Sequence, residues 1–140
     1  MARIYRSLHL DESAAAASTT EARYVGFGRK VRLLGVILIA NAATAADADD
    51  YLDVNVFGPD GTTLLWNRDT DSAGDGALVA GTVEGTAHDA DPDTTVAFES
   101  GVGAQLYCDE DEAFLVNVVT TGPAGAAIDA DILLIAEPAS

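Results

Sequence analysis

The sequence predicts an all-β chain, an antiparallel β-sandwich of jelly-roll type with an N-terminal arm, on three observations. From Tyr24 onward, short apolar or alternating segments rich in β-branched residues follow one another. Clusters of Gly, Asp, Pro and Ser divide them at the spacing of strands and turns. No ten-residue segment after Tyr24 has a helical apolar period, which argues against a parallel α/β fold.

Residues 1–24 read as the arm. Within it, Arg3 to Leu10 alternates like a short strand, with Ile4, Leu8 and Leu10 on one side. The stretch from Asp11 to Thr20 has only small side chains to bury after its two acids, and fits either one or two helical turns capped by Asp11 or a flexible linker. The body, 25–140, opens with Val25, Phe27 and the segment Arg29 to Leu34. These lead into Gly35-Val36-Ile37-Leu38-Ile39-Ala40, a run short and β-branched enough for a strand buried on both faces. Tyr51 to Phe57 alternates cleanly and places Leu52, Val54 and Val56 toward a core. Gly58-Pro59-Asp60-Gly61 is a reverse turn, because Pro59 presets φ and Gly61 tolerates the exit geometry, so Thr62 to Trp66 should return as the hairpin partner. Further strands are expected at Ala77 to Val83, Thr94 to Glu99, Ala104 to Cys108, Ala113 to Thr120 and Ile128 to Ala136.

The 140 residues, 49% of them hydrophobic, suit one domain with one core. The longest uncharged apolar stretch, Leu33 to Ala46, is shorter than a membrane-spanning helix needs, and the basic N-terminus is not followed by an apolar signal segment. A soluble protein made inside a cell is expected. Charge is the most informative bulk property. The formal net charge is −16, yet six of the seven bases lie in the first 32 residues against three acids, a local net of +3. The remainder holds twenty acids and the single base Arg68, a net of −19. Such a body repels nucleic acid and anionic membrane, so neither is expected as a partner. Abundant Asp with one Lys also fits a protein of a salt-loving organism, although GC-rich coding and marine origin give a similar bias.

No enzyme active site is legible. His9 and His88 are the only imidazoles, and they fall in the arm and in a polar loop. Cys108 has no second Cys for a disulfide or redox pair and reads as a buried structural thiol; no signature supports pairing it with His88 as a nucleophile. No phosphate-binding Gly-rich loop ends in Lys-Ser or Lys-Thr. Three acidic clusters, Asp47 to Asp50, Asp69 to Gly76 and Asp89 to Asp93, offer hard oxygen ligands of the kind Ca²⁺ takes. The middle one carries Asp69, Asp71 and Asp75 with Gly74 at the sixth position, but Ala80 stands where a bidentate acid belongs. The expectation is solvated loops and no cofactor, with Ca²⁺ at Asp69, Asp71 and Asp75 as the one exception. Trp66 is expected in the core, and Tyr5, Tyr24 and Phe27 either close that core or, if exposed, form an interface.

A short arm of small residues followed by a Gly-, Asp-, Thr- and Ala-rich sandwich, with turns such as Gly58-Pro59-Asp60-Gly61 and no catalytic furniture, resembles the auxiliary capsid proteins of tailed viruses of bacteria and archaea. These are the decoration, cement or turret proteins. The resemblance implies a non-enzymatic, homo-oligomeric virion protein on the capsid surface, made in the host cytoplasm, whose partner is a major capsid protein or another virion protein. Docking would fall to Arg3, Tyr5, Arg6, Arg23, Arg29, Lys30 and Arg32, attracted to an acidic neighbour. A scattered set of exposed charges at the start of a strand is the plainer reading of Arg29 to Arg32. The competing class is a carbohydrate- or calcium-binding β-sandwich module of a cell-surface protein, which would show an exposed aromatic patch and stabilisation by Ca²⁺.

Overall fold

The computed structural model describes residues 3–14, 20–86 and 94–140. Two antiparallel sheets pack face to face. Sheet A takes the order β1 (Ile4–Glu12), β10 (Ile128–Pro138), β3 (Val31–Ala40), β6 (Val83–Gly85), with the two-residue β7 (Thr94–Thr95) beyond and β8 (Tyr107–Cys108) beside the start of β3. Sheet B takes the order β2 (Thr20–Val25), β9 (Phe114–Thr121), β4 (Tyr51–Phe57), β5 (Leu64–Asp69). Apart from the two-residue β7 and β8, which follow β6 in sheet A, the chain alternates between the sheets and remains in one only for the β4–β5 hairpin, and this is the strand order of an eight-stranded jelly roll, two interleaved Greek keys.

Period-two patterning sets what each strand buries. In β4, Leu52, Val54 and Val56 have no exposed surface, and in β9 Phe114, Val116 and Val118 match them from the neighbouring strand. From sheet A, Ile128, Ala130, Ile132 and Leu134 of β10 and Leu33, Val36, Leu38 and Ala40 of β3 close the core from the other side. The β3 segment expected to be buried on both faces is so: Ile37 on its outer face is 5% exposed, beside Ile135 of β10 at 1%. Gly85 allows this closeness, since a Cβ there would overlap the Val36 carbonyl.

The N-terminal arm is corrected. Residues 4–12 pair along their whole length with β10, from Ile4 opposite Ala136 to Glu12 opposite Ile128. Residues 20–25 pair with β9. The segment is therefore the edge strand of both sheets, and the division at residue 24 does not separate an arm from a body. Leu10, 1% exposed, and half-buried Ile4 and Leu8 point inward as their alternation predicts, and this burial is why the segment stays on the sandwich. Residues 11–12 continue the strand instead of starting a helix; 15–19 lie outside the described residues.

Three expected strands also differ. The stretch 77–83 contributes a single bridge from Leu78 to Thr44 and then a turn before β6. The stretch 94–99 is strand only at Thr94–Thr95, and Gly103–Leu106 forms a 3-10 turn before β8. The Gly58 turn forms as expected: Gly61 has φ +74°, and the Asp60 carboxylate accepts the backbone N–H groups of Thr62 and Thr63 at 2.9 and 2.8 Å. Those bonds and the Thr63 hydroxyl hold its pKa down to about 2.

Candidate functional site

Register fixes which end of the sandwich each charge occupies. β1, β3, β5 and β9 run toward one end, here called upper, and β2, β4 and β10 return from it. The upper end carries the end of β1, the start of β2 and the loops 41–50, 70–82 and 122–127. Bridges stitch these loops: Thr44 to Leu78, Asp47 to Asp71, and Asp50 Oδ1 accepting the N–H groups of Ala124 at 2.8 Å and Gly125 at 3.2 Å. The lower end carries the start of β1, the end of β10, the β2–β3 and β4–β5 turns and the 96–113 connection.

All six early bases fall in the lower half. Arg3 stands just before β1 and Arg6 is its third residue, Arg23 lies near the end of β2, Arg29 and Lys30 are exposed in the β2–β3 turn, and Arg32 is at the start of β3. Arg6 stacks over Phe27 at 5.5 Å from the ring centre, and its Nη1 donates to the Tyr5 carbonyl at 3.2 Å. Arg23 pairs with Glu21, and Arg32 lies 3.7 Å from Glu137. Tyr5 and Tyr24 are 50% and 74% exposed, while Phe27 joins the core edge-on to Phe114 with ring centres 6.1 Å apart. The docking set is thus brought together at one end and along one lateral edge. Asp109, Glu110, Asp111 and Glu112 share this end and flank Lys30 in a shallow depression.

The upper end has no exposed base. Asp11, Asp47, Asp49, Asp50, Asp71, Asp75, Asp129 and Asp131 project there, and the only cation of the upper half, Arg68, is 2% exposed. It faces inward next to Trp66 on β5 and meets Glu84 of β6 across the sandwich, Nε to Oε2 at 2.7 Å and Nη2 to Oε1 at 3.0 Å. Its remaining donors reach the backbone carbonyls of Asp69, Gly76 at 2.6 Å and Ala77 at 2.9 Å. This inter-sheet clamp is absent from the sequence reading; its signal was the position of Arg68 two residues beyond Trp66, on the same inward parity.

Asp69, Asp71 and Asp75 do not form a ligand set. Asp69 Oδ1 accepts the N–H groups of Asp71 and Asp75 at 3.1 and 3.0 Å, Asp75 Oδ2 accepts that of Asp69 at 3.0 Å, and Asp71 Oδ1 accepts that of Ala73 at 2.9 Å. One oxygen of each carboxylate accepts from the backbone of its own loop, a role that accounts for their spacing. Among the described residues no group of three or more His, Cys, Asp or Glu side chains is placed to hold a metal. Millimolar Ca²⁺ should leave the thermal midpoint unchanged, whereas Asp69→Ala should lower stability by about 1–2 kcal/mol in urea unfolding through the lost backbone bonds. The third cluster, Asp89 to Asp93, and His88 lie outside the described residues.

Two further polar features emerge on the sheet faces. On sheet A, His9 Nδ1 lies 2.9 Å from Asp131 Oδ1, and Asn41 donates to Asp129 and Asp131 at 3.3 and 3.1 Å. The Asp131 hydrogen bond raises the His9 pKa, so the attraction is present in mild acid and fades as pH rises through that raised value. On sheet B, Asn67 donates to Asn55 at 2.8 Å and Asn55 to Asn117 at 3.0 Å, an amide ladder across three strands. Cys108 is buried, and desolvation together with Glu112, Asp109 and Asp111 pushes its thiol up to about 11, so it is held as the inert thiol.

Comparison of the chain with protein-family models, with curated proteins and with solved structures finds no match.

Proposed function

We propose that this protein is a non-enzymatic structural subunit of a virion, a capsid decoration or turret component, that works as a homo-oligomer and docks by the bases gathered at its lower end on an acidic partner such as a major capsid protein. Jelly rolls occur in viral capsid proteins, lectins and cupins alike, so strand order alone does not choose among these functions. The observation that carries the reading is the division of charge along the strands: six bases in the lower half, and only acids exposed at the upper end. A chain of net charge −16 approaching an acidic surface is turned by its own field so that the lower end leads, where the six bases nearly offset Asp60, Glu99, Asp109, Glu110, Asp111, Glu112 and Glu137, while the upper end is wholly acidic. The acidic end then faces solvent and discourages unwanted association.

Deleting residues 1–24 would not test this docking, because it strips an edge strand from each sheet. The triple reversal Arg29→Glu, Lys30→Glu, Arg32→Glu does, since Arg29 and Lys30 are exposed and the one ion pair of Arg32 is at the surface. Retention on purified particles, measured by co-sedimentation, is expected to fall by about tenfold or more and to weaken with added salt in the unaltered protein. Undiminished retention of the triple variant would contradict the proposal.

A further inference from the structure

We propose that the upper half of β1 is a proton-operated latch: His9 on its outer face and Glu12 on its inner face fasten the strand to the sandwich when protonated, and loosen it as the surroundings turn alkaline. The inference goes beyond the assembly reading and does not rest on it.

The two halves of β1 are held by different forces. Toward the lower end, Ile4 and Leu8 pack against the core and Arg6 stacks over Phe27, contacts that no ordinary change of pH alters. Toward the upper end the apolar anchor is Leu10, 1% exposed, and the side chains flanking it that meet other strands, His9 and Glu12, both titrate.

His9 stands directly opposite Asp131 of β10. Its Nδ1 lies 2.9 Å from Asp131 Oδ1 and its Nε2 3.6 Å from Asp129 Oδ1, so one ring spans both carboxylates. Asn41, just beyond β3, donates to the same two acids and holds them in place for the ring. The charged groups facing His9 among the described residues are Asp131 and Asp129 across the strand and Asp11 on β1 itself, and all three favour imidazolium. In that form both ring nitrogens donate and the ring ties β1 to β10; once neutral it has a single donor and no charge.

On the inner face, Glu12 stands opposite Ile128, which is 2% exposed. Glu12 Oε2 is shut off from solvent and lacks a hydrogen-bond partner. The charge that bears on it is that of Glu21 on β2, which points inward with Val118 of β9 and has Arg23 as its own partner. Burial first, and Glu21 second, favour the neutral acid over the carboxylate.

The signs agree. Both groups have their pKa raised in the docked strand, so docking takes up protons, is favoured below those raised values and is weakened as pH climbs through them. Asp131, its pKa lowered by the hydrogen bonds from His9 and Asn41, keeps its charge into acid, so the His9 contact persists there.

Amide exchange of the full chain, followed by NMR between about pH 4.5 and about pH 8.5 and divided by the intrinsic exchange rate, reads the opening of β1 directly. Relative to the amides of β4, opening at the protected amides of residues 9–12 should rise by about tenfold over that range. His9→Gln and Glu12→Gln, which remove the titration but keep a polar side chain, should each flatten part of the rise, and H9Q/E12Q should abolish it. In a separate titration of the His9 ring, Asp131→Asn should bring its midpoint down toward the ordinary histidine value. Opening at 9–12 that does not change with pH, a rise that persists in H9Q/E12Q, or a His9 midpoint indifferent to Asp131→Asn would overturn the latch.

Discussion

Replacing Arg68 by Met is expected to destabilise the fold by about 3–5 kcal/mol, because it leaves the Glu84 carboxylate buried without its counter-charge. Arg68 and Glu84 are 2% and 6% exposed and meet in a two-point contact between the sheets. Elsewhere, replacing both members of a buried pair with apolar residues is often neutral. Here that rescue should fail. Arg68 also satisfies the carbonyls of Asp69, Gly76 and Ala77, so Arg68→Met with Glu84→Leu still leaves three backbone acceptors of the 69–77 loop without donors. Urea unfolding followed by far-UV circular dichroism measures both variants. A double variant as stable as the wild type would show that the pair, and not the loop it fastens, is what Arg68 contributes.

Trp66→Ala is expected to cost about 3–5 kcal/mol, the range for removing a fully buried indole from a core. Trp66 has no exposed surface and is among the largest fully buried side chains. Its loss should also have a local signature that a plain cavity would not. The indole N–H holds the Val96 carbonyl at 3.0 Å, and together with the Glu99 N–H on Leu65 it fixes the segment that covers the β5 edge. Trp66→Phe keeps most of the apolar contact but not the hydrogen bond, so amide exchange at residues 96–99 should accelerate in both variants while global stability falls much further in Trp66→Ala. Protection at 96–99 that tracks global stability alone would contradict this role.

These two side chains show where sequence reasoning reached and where it stopped. The long strands were legible because a half-buried strand writes its period directly: Leu52, Val54 and Val56 in β4, and Phe114, Val116 and Val118 in β9. Two- and three-residue strands such as β7, β8 and β6 have too few residues to show a period, and are held by partners far away in the chain, as Cys108 is by Val31. The N-terminal segment was misread for a related reason. Its alternation was visible, but the Ala-rich stretch after it suggested a break, and only the register against Ile128–Pro138 shows that the segment completes the sandwich. The acidic loops were read by composition, which cannot distinguish carboxylates aimed at a cation from carboxylates aimed at their own backbone. Charge asymmetry along the sequence survived folding, because β1, the end of β2 and the start of β3 converge on one end of the molecule.

The central claim is that this asymmetry serves assembly, and the mass of the native complex from which the chain is recovered tests it most directly. A megadalton particle that sheds the chain when Arg29, Lys30 and Arg32 are reversed is the predicted result. Recovery of the chain only as a free monomer, from its native source and at any salt concentration, would contradict it.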